Sequence, residues 1–321
     1  MRVLVTGASG MLGRGIASSL IERGDEVSVL QRRPSGLACR EVLADIGDAA
    51  TVRRAVAGQH AVVHCAAKVD VVGPWEEYQR VNVHGTRTIV AACLEQGVGR
   101  LVHVSTPAVA HAGRALVGVG AGPADPAAAR GSYARSKAMA ELDALATDGS
   151  DLAVLAVRPH LAWGPGDTQL VERIVARGRA GRLVLVGSGA ALIDTTYVDN
   201  AVDAIVAALD AGAHGEALVV SNGEPRTVFE VLARICAAAG VPGPRGHLPL
   251  PVAAAGGAAL ERVWARLGRR DDPPLTRFLA EQLGTAHWFD QRRTRQLLGW
   301  APRTSLDDGF AALARWYAQS R

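Results

Sequence analysis

The chain has 321 residues, enough for two domains or for one large α/β domain with an appended lobe. Hydrophobic residues make up 49% and charged residues 21%, a globular composition that excludes disorder, and no apolar stretch is long enough to span a bilayer. The formal charge of +4 comes from basic residues spread along the chain without interleaved aromatics, so no nucleic-acid partner is expected.

The first residues, Arg2-Val-Leu-Val-Thr6, form a β-branched apolar run that breaks into Gly7-Ala-Ser-Gly10-Met-Leu-Gly13. An apolar period of Leu12, Ile16 and Leu20 follows, so the stretch reads as strand, tight turn and helix. Gly7 allows the turn, Gly10 lets a pyrophosphate approach the backbone, and Gly13 lets helix and strand pack closely. Met11 and Leu12 open the helix whose N-terminal N–H groups face the anion, so they count with the cofactor-binding residues. No leader-like segment precedes the strand, and a cytoplasmic protein is expected.

Further strands are expected at Glu26 to Leu30, Glu41 to Asp45, and Ala61 to Cys65, the last ending in Ala66-Ala67. A long helix from Glu76 to Gln96, a strand from Arg100 to Val104, a helix from about Ser132 and a strand from Leu152 to Val157 complete the alternation. That rhythm predicts an α/β, Rossmann-like, doubly wound parallel sheet with its crevice at the carboxyl ends of the strands. From Pro159 onward glycine and proline break the rhythm. Residues 1–160 with about 193–222 read as the nucleotide-binding domain, and about 161–192 with 223–321 as a smaller, mainly helical substrate lobe.

Two stretches stand apart. Ala112 to Gly131, rich in Ala, Gly and Pro, reads as a loop just ahead of Tyr133 that could cover a substrate as a lid. Pro251 to Leu267 sets Val252, Ala255, Ala259, Leu260, Val263 and Leu267 against Glu261, Arg262, Arg266 and Arg269. It reads first as an amphipathic packing helix, and second as a face peripheral to a membrane or against a partner. The four cysteines and nine histidines show no metal or disulfide spacing, so no metal is expected.

Ser132-Tyr-Ala-Arg-Ser-Lys137 places Tyr133 and Lys137 on one helical face. A phenol is a poor acid-base group near neutrality, and a neighbouring ammonium should lower its pKa by stabilising the phenolate. Ser105-Thr106, at the end of an expected strand, could orient a carbonyl oxygen. After the second strand the chain has Gln31-Arg32-Arg33, where an acid would receive the ribose 2′-OH of NAD and arginine suits a 2′-phosphate. NADP(H) is therefore favoured over NAD(H).

The glycine turn, the Ser-Thr pair and Tyr-x-x-x-Lys, in this order, resemble the extended short-chain dehydrogenase/reductases over nearly the whole chain. The resemblance implies that Tyr133 is the proton donor and that Lys137 also holds the nicotinamide ribose. It implies that Thr106, with Ser105 in reserve, polarises the substrate. It further implies that Asp45-Ile46 contacts adenine, Ala66-Ala67 walls the cofactor, Asn82 supports the site and Arg158-Pro159 flanks the nicotinamide.

Within that superfamily the chain is similar to the 3β-hydroxysteroid dehydrogenase-like branch, and more narrowly to the 2-alkyl-3-oxoalkanoate reductases of bacterial olefin and β-lactone biosynthesis. Ser105-Thr-Pro-Ala-Val, Arg158-Pro-His-Leu-Ala-Trp-Gly-Pro-Gly-Asp167, Asp194-Thr-Thr-Tyr-Val-Asp-Asn200, Ser221-Asn-Gly-Glu-Pro225 and Thr285-Ala-His-Trp-Phe-Asp290 carry the likeness. It implies reduction of a long-chain, lipid-like 3-keto acid to the 3-hydroxy acid. Steroid or sterol-4-carboxylate dehydrogenation and nucleotide-sugar epimerisation remain as alternatives, with a non-catalytic cofactor sensor as a third class. The resemblance also implies a homodimer through the long helices. An assembly with other enzymes of a lipid pathway has no residue to carry it.

Overall fold

A computed structural model describes residues 1–70, 72–269 and 273–319. β1 (Arg2–Thr6), α1 (Met11–Glu22), β2 (Glu26–Gln31), β3 (Arg40–Leu43), α2 (Ala49–Val56) and β4 (Ala61–His64) open the chain. A helical run over residues 75–95 follows, made of α3 (Trp75–Tyr78), a π-helical turn (Gln79–His84) and α4 (Gly85–Glu95). Then come β5 (Arg100–Val104), β6 (Leu116–Val119), α5 (Gly131–Leu145) and β7 (Ala153–Pro159).

The later elements are β8 (Ala162–Trp163), α6 (Val171–Arg179), β9 (Leu185–Val186), β10 (Leu192–Ile193), β11 (Thr196–Tyr197), α7 (Val198–Asp210) and β12 (Glu216–Val220). After them come β13 (Arg226–Thr227), α8 (Val228–Ala239), β14 (His247–Leu248) and α9 (Leu250–Arg266). The described chain closes with α10 (Arg277–Gly284), β15 (His287–Phe289), α11 (Arg292–Leu298) and α12 (Leu306–Gln319).

The main sheet has seven parallel strands in the order β3-β2-β1-β4-β5-β7-β12. This is the doubly wound α/β arrangement read from the alternation of elements. In β1, Val3, Leu4 and Val5 are fully buried, because helices cover both faces of a parallel sheet. One face packs Ile16 and Leu20 of α1 with Ile205 of α7, and the other packs Val52 of α2 with Ile89 of α4. Strand order reverses between β1 and β4, which opens the crevice there.

Two glycines fix the turn after β1. Gly7 has φ +79°, and a Cβ on it would stand 2.9 Å from the backbone of Ala66. A Cβ on Gly13 would fall 2.4 Å from the Gly7 carbonyl oxygen, so α1 can start this close to the strand only without a side chain there.

Three expectations need correction. The stretch from Ala112 to Gly131 is not a free loop: β6 lies within it and pairs in parallel with β15 in a second sheet of order β13-β10-β15-β6. Leu116 N–H donates to Ala286 O at 2.9 Å and Asp290 N–H to Val119 O at 2.9 Å, so both ends of the strand are tied. Gly118 has φ +63°, and a Cβ on it would stand 2.8 Å from the Trp288 ring, a close approach that the composition of the segment alone does not announce.

The helix expected from Glu76 to Gln96 is one run with a π-helical turn at its centre, which carries Asn82. The helix expected over Pro251 to Leu267 buries Ala253 and Gly257, not its larger apolar residues. A Cβ on Gly257 would stand 2.5 Å from the backbone of Thr276, so α9 meets the start of α10 backbone to backbone. Val252 and Leu267 are left 57% and 66% exposed.

Candidate active site

The carboxyl ends of β1, β2, β4, β5 and β7 open on one cavity of about 560 Å³. Gly7, Gly10, Met11, Leu12 and Gly13 form one side of it. No side chain caps α1, so N–H groups of its first turn stay available to an anion. Thr6 Oγ1 lies 2.8 Å from His64 Nδ1 and accepts the Ala66 N–H at 3.1 Å, which pins the end of β4 against β1.

Arg32, Asp45, Ile46, Ala66 and Ala67 also line this cavity; Arg33 and Asn82 do not. Arg33 is exposed beside it. Asp45 accepts the Gly47 N–H at 2.9 Å and pairs with Arg80 at 3.0 Å. The backbone bond from Gly47, helped by Arg80, holds its carboxyl below the usual range. Gln31, at the end of β2, has a buried amide oxygen with no hydrogen-bond partner in the cavity wall. Asn82 acts from behind: its Oδ1 accepts the Lys68 N–H at 2.7 Å and its Nδ2 donates to Lys68 O and Ser136 Oγ at 3.0 and 2.8 Å. The π-helical turn thus clasps the segment after β4 to α5.

Ser105, Thr106, Tyr133, Lys137 and Pro159 meet at the far end of the same cavity. Thr106 caps a short 3-10 turn by accepting the Ala108 N–H at 3.3 Å, and its hydroxyl sits near enough to the Tyr133 phenol to favour the phenolate. Ser105 Oγ is buried without a partner. Burial pushes the Tyr133 phenol up to about 12, against the lowering expected from Lys137, and the Thr106 hydroxyl only partly offsets it. The reason is where the ammonium points. Lys137 Nζ donates to Val104 O at 2.7 Å and to His103 Nε2 at 3.3 Å, beneath the cavity floor. Burial lowers Lys137 to about 8, opposed by the charge of Glu141 one turn further along α5.

Several residues at the site have no signal in the linear pattern. His103 is fully buried and held well below its ordinary pKa by desolvation and by Lys137, so it is the neutral acceptor for Nζ. Its other nitrogen, Nδ1, is buried with no partner. Arg158, in the segment expected beside the nicotinamide, is a buried cross-link. Its Nε donates to Glu141 Oε2 at 2.8 Å, its Nη2 reaches Glu141 Oε1, and its Nη1 holds the carbonyls of Ala121 and Gly122. Next to it, Leu161 lines the cavity with φ +44°, the one non-glycine residue with positive φ among the described residues. From the other side the cavity is walled by His160, Asp167, Phe278 and Gln282, whose elements are distant in sequence.

The glycine cradle admits no Cβ at Gly7 or Gly13, and Gln31, whose amide oxygen is unpartnered, lines the same space; both observations fit a dinucleotide. A phenol, a buried ammonium and two hydroxyls at one end of that space define an oxidoreductase site. The model of the NAD dependent epimerase/dehydratase family matches residues 3–221, and the chain belongs to that family. It is an NAD(P)-dependent oxidoreductase of the extended short-chain dehydrogenase/reductase type.

A 2-alkyl-3-oxoalkanoate reductase of Stenotrophomonas maltophilia (strain K279a) is 41% identical, over 98% of this chain and 98% of that protein. A 3-beta-hydroxysteroid dehydrogenase of Mycolicibacterium neoaurum is 30% identical, over 98% and 90%. Among solved structures, MoeE5 in complex with UDP-glucose and NAD is 26% identical, with a TM-score of 0.77 over 100% of this chain and 99% of that one. The chain acts on a small molecule, and among the described residues no helix is long and apolar enough to cross a membrane.

Proposed function

We propose that the protein reduces the 3-keto group of a long-chain 2-alkyl-3-oxoalkanoic acid to the 3-hydroxy acid, using NADPH. The observation that carries this reading is the 41% identity to a 2-alkyl-3-oxoalkanoate reductase along almost the full length of both chains. Residues 1–160 with about 193–222 hold the cofactor in this reading, and 161–192 with 223–321 the substrate. The nicotinamide supplies a hydride to the carbonyl carbon.

The rest of the chemistry falls to side chains. Tyr133 O–H donates a proton to the carbonyl oxygen, and a pKa of about 12 keeps that proton in place at neutral pH. Thr106, beside the phenol, orients the same oxygen, with the unpartnered Ser105 hydroxyl next to it. Lys137 Nζ is tied to Val104 O and His103 Nε2 and does not lower the phenol, so its part in this reading is to hold the nicotinamide ribose. Arg32 in the cavity wall meets a 2′-phosphate, which supports NADPH over NADH. On α9 the exposed stripe of Val252, Ala255, Ala259 and Val263 beside Arg262 and Arg266 supports contact with an anionic lipid surface.

The test runs in the oxidation direction, since β-keto acids decarboxylate. NADP⁺ reduction is followed with a 2-alkyl-3-hydroxy long-chain acid and, in parallel, with a 3β-hydroxysteroid. Turnover of the acid that is lost in Tyr133→Phe is expected, with NADP⁺ preferred to NAD⁺ and the preference reduced in Arg32→Ala. Turnover of the steroid alone overturns the substrate assignment, and a clear preference for NAD⁺ overturns the cofactor assignment.

A further inference from the structure

Tyr133 belongs to two cavities. One is the cofactor cavity; the other, of about 860 Å³, lies beyond the phenol and shares Val69 and Phe278 with the first. Its wall is of mixed chemistry. Val72, Pro74, Trp264, Ala265 and Phe278 make it apolar, while Arg130, Arg269 and Arg277 stand against Asp70 and Glu261. Asp70 is paired with Lys68 at 2.6 Å, and Arg269 stacks on Trp264. A partly apolar chamber whose wall, among the described residues, holds three arginines and two acids suits an amphipathic anion.

Arg130 is the arginine nearest the chemistry, at the N-cap of α5 and one turn ahead of Tyr133. Its contacts are loose: Nε stands 3.5 Å from Glu281 Oε2, and Nη2 stands 3.5 Å from Ala112 O. Nε and Glu281 Oε2 are both buried without a hydrogen-bond partner. Glu281 is instead bound through Oε1, which accepts from Arg277 Nε at 2.9 Å. A second unmet donor sits in the same wall, because the indole N–H of Trp264 is buried with no acceptor. The Trp264 N–H has no acceptor and Arg130 Nε has only a long ion pair to Glu281, so the cavity holds two donors beside the proton donor that the chain meets weakly or not at all.

We propose that this second cavity is the carboxylate subsite, and that Arg130 binds the carboxylate of the 3-oxo acid while the apolar wall takes an alkyl branch. The assignment rests on the substrate class proposed above. In such an acid the carboxyl carbon is two bonds from the keto carbon, so a carbonyl on Tyr133 puts the carboxylate next to the phenol. A guanidinium held at the start of the same helix is in the matching place, and its fork suits a carboxylate. Arg130 is thus a specificity residue: it separates acids from neutral ketones of the same skeleton.

Two measurements test this. In turnover, the wild type and Arg130→Gln are compared on a 2-alkyl-3-hydroxy acid and on its methyl ester. The wild type should prefer the acid, and Arg130→Gln should lower the acid-to-ester ratio of kcat/KM on the order of 10- to 100-fold, mostly through KM, as expected for losing a charged hydrogen bond. Arg130→Lys should recover part of the ratio. An unchanged ratio in Arg130→Gln overturns the assignment even though the substrate class stands. In binding, calorimetry follows an unreactive 2-alkyl alkanoic acid and the alcohol of the same skeleton. Tighter binding of the acid that disappears in Arg130→Gln supports the subsite independently of turnover, and equal binding of acid and alcohol by the wild type overturns it. If neither hydroxy acid nor ester is turned over, the reading of the reaction fails, and the calorimetry still decides whether Arg130 binds a carboxylate.

Discussion

His103 shows how much of this site is set one layer below the reacting atoms. It accepts from Lys137 Nζ and leaves its own Nδ1 buried without a partner, an arrangement with an energetic cost that the described residues do not offset. Accepting a hydrogen bond favours the charged form of lysine. Removing the acceptor should therefore let Lys137 lose its proton at lower pH. His103→Phe is expected to shift the alkaline limb of the kcat/KM profile toward neutrality and to slow turnover, whereas His103→Gln, which keeps an acceptor, should restore the limb. A profile that His103→Phe leaves in place would show that the imidazole merely fills space.

At the scale of elements, small residues decide the close contacts. Gly257 lets α9 touch the backbone at the start of α10, and Gly257→Ala must push the two apart. Overpacking of this kind costs about 1–3 kcal/mol. A urea titration should show a lower midpoint for Gly257→Ala, while Ala255→Ser on the exposed side of α9 should leave it unchanged; equal midpoints for all three proteins would refute the contact.

The same contrast explains what the sequence made legible. The turn from Thr6 to Gly13 and the Tyr133–Lys137 pair are local, so spacing alone reveals them. β6 was missed because its four residues include a glycine and its strand partner among the described residues, β15, is far along the chain. Apolar periodicity on α9 pointed to the wrong face, since a helix that packs through glycine and alanine buries little side chain to betray the contact. Arg130 and Phe278 share a cavity wall through tertiary folding only, and no pattern in the linear chain joins them.

For the whole molecule, buried imidazoles set the acid limit. Desolvation lowers His64 and His287 to about 3 and His160 to about 4, from an ordinary 6.5. Below pH 6.5 the unfolded chain takes up protons at these positions that the folded chain refuses, so stability falls as pH drops toward 4. The urea midpoint should decrease steadily between pH 7 and pH 5, and the decrease should be smaller in His287→Gln. A midpoint flat over that interval would mean that these rings are protonated in the folded state without penalty.

The pairing of β6 with β15 also orders events during synthesis. A chain emerging from the ribosome has complete partners for β1 to β5 by the time β7 is made, and folding proceeds from the N-terminal part first. The segment from Leu116 to Val119 must wait for His287 to Phe289 before its edge is covered. Val117 and Val119 remain half exposed even then, so the nascent chain carries a sticky strand edge through most of its translation. The glycine turn after β1 is therefore framed early, and the second sheet is closed only when β15 has been made.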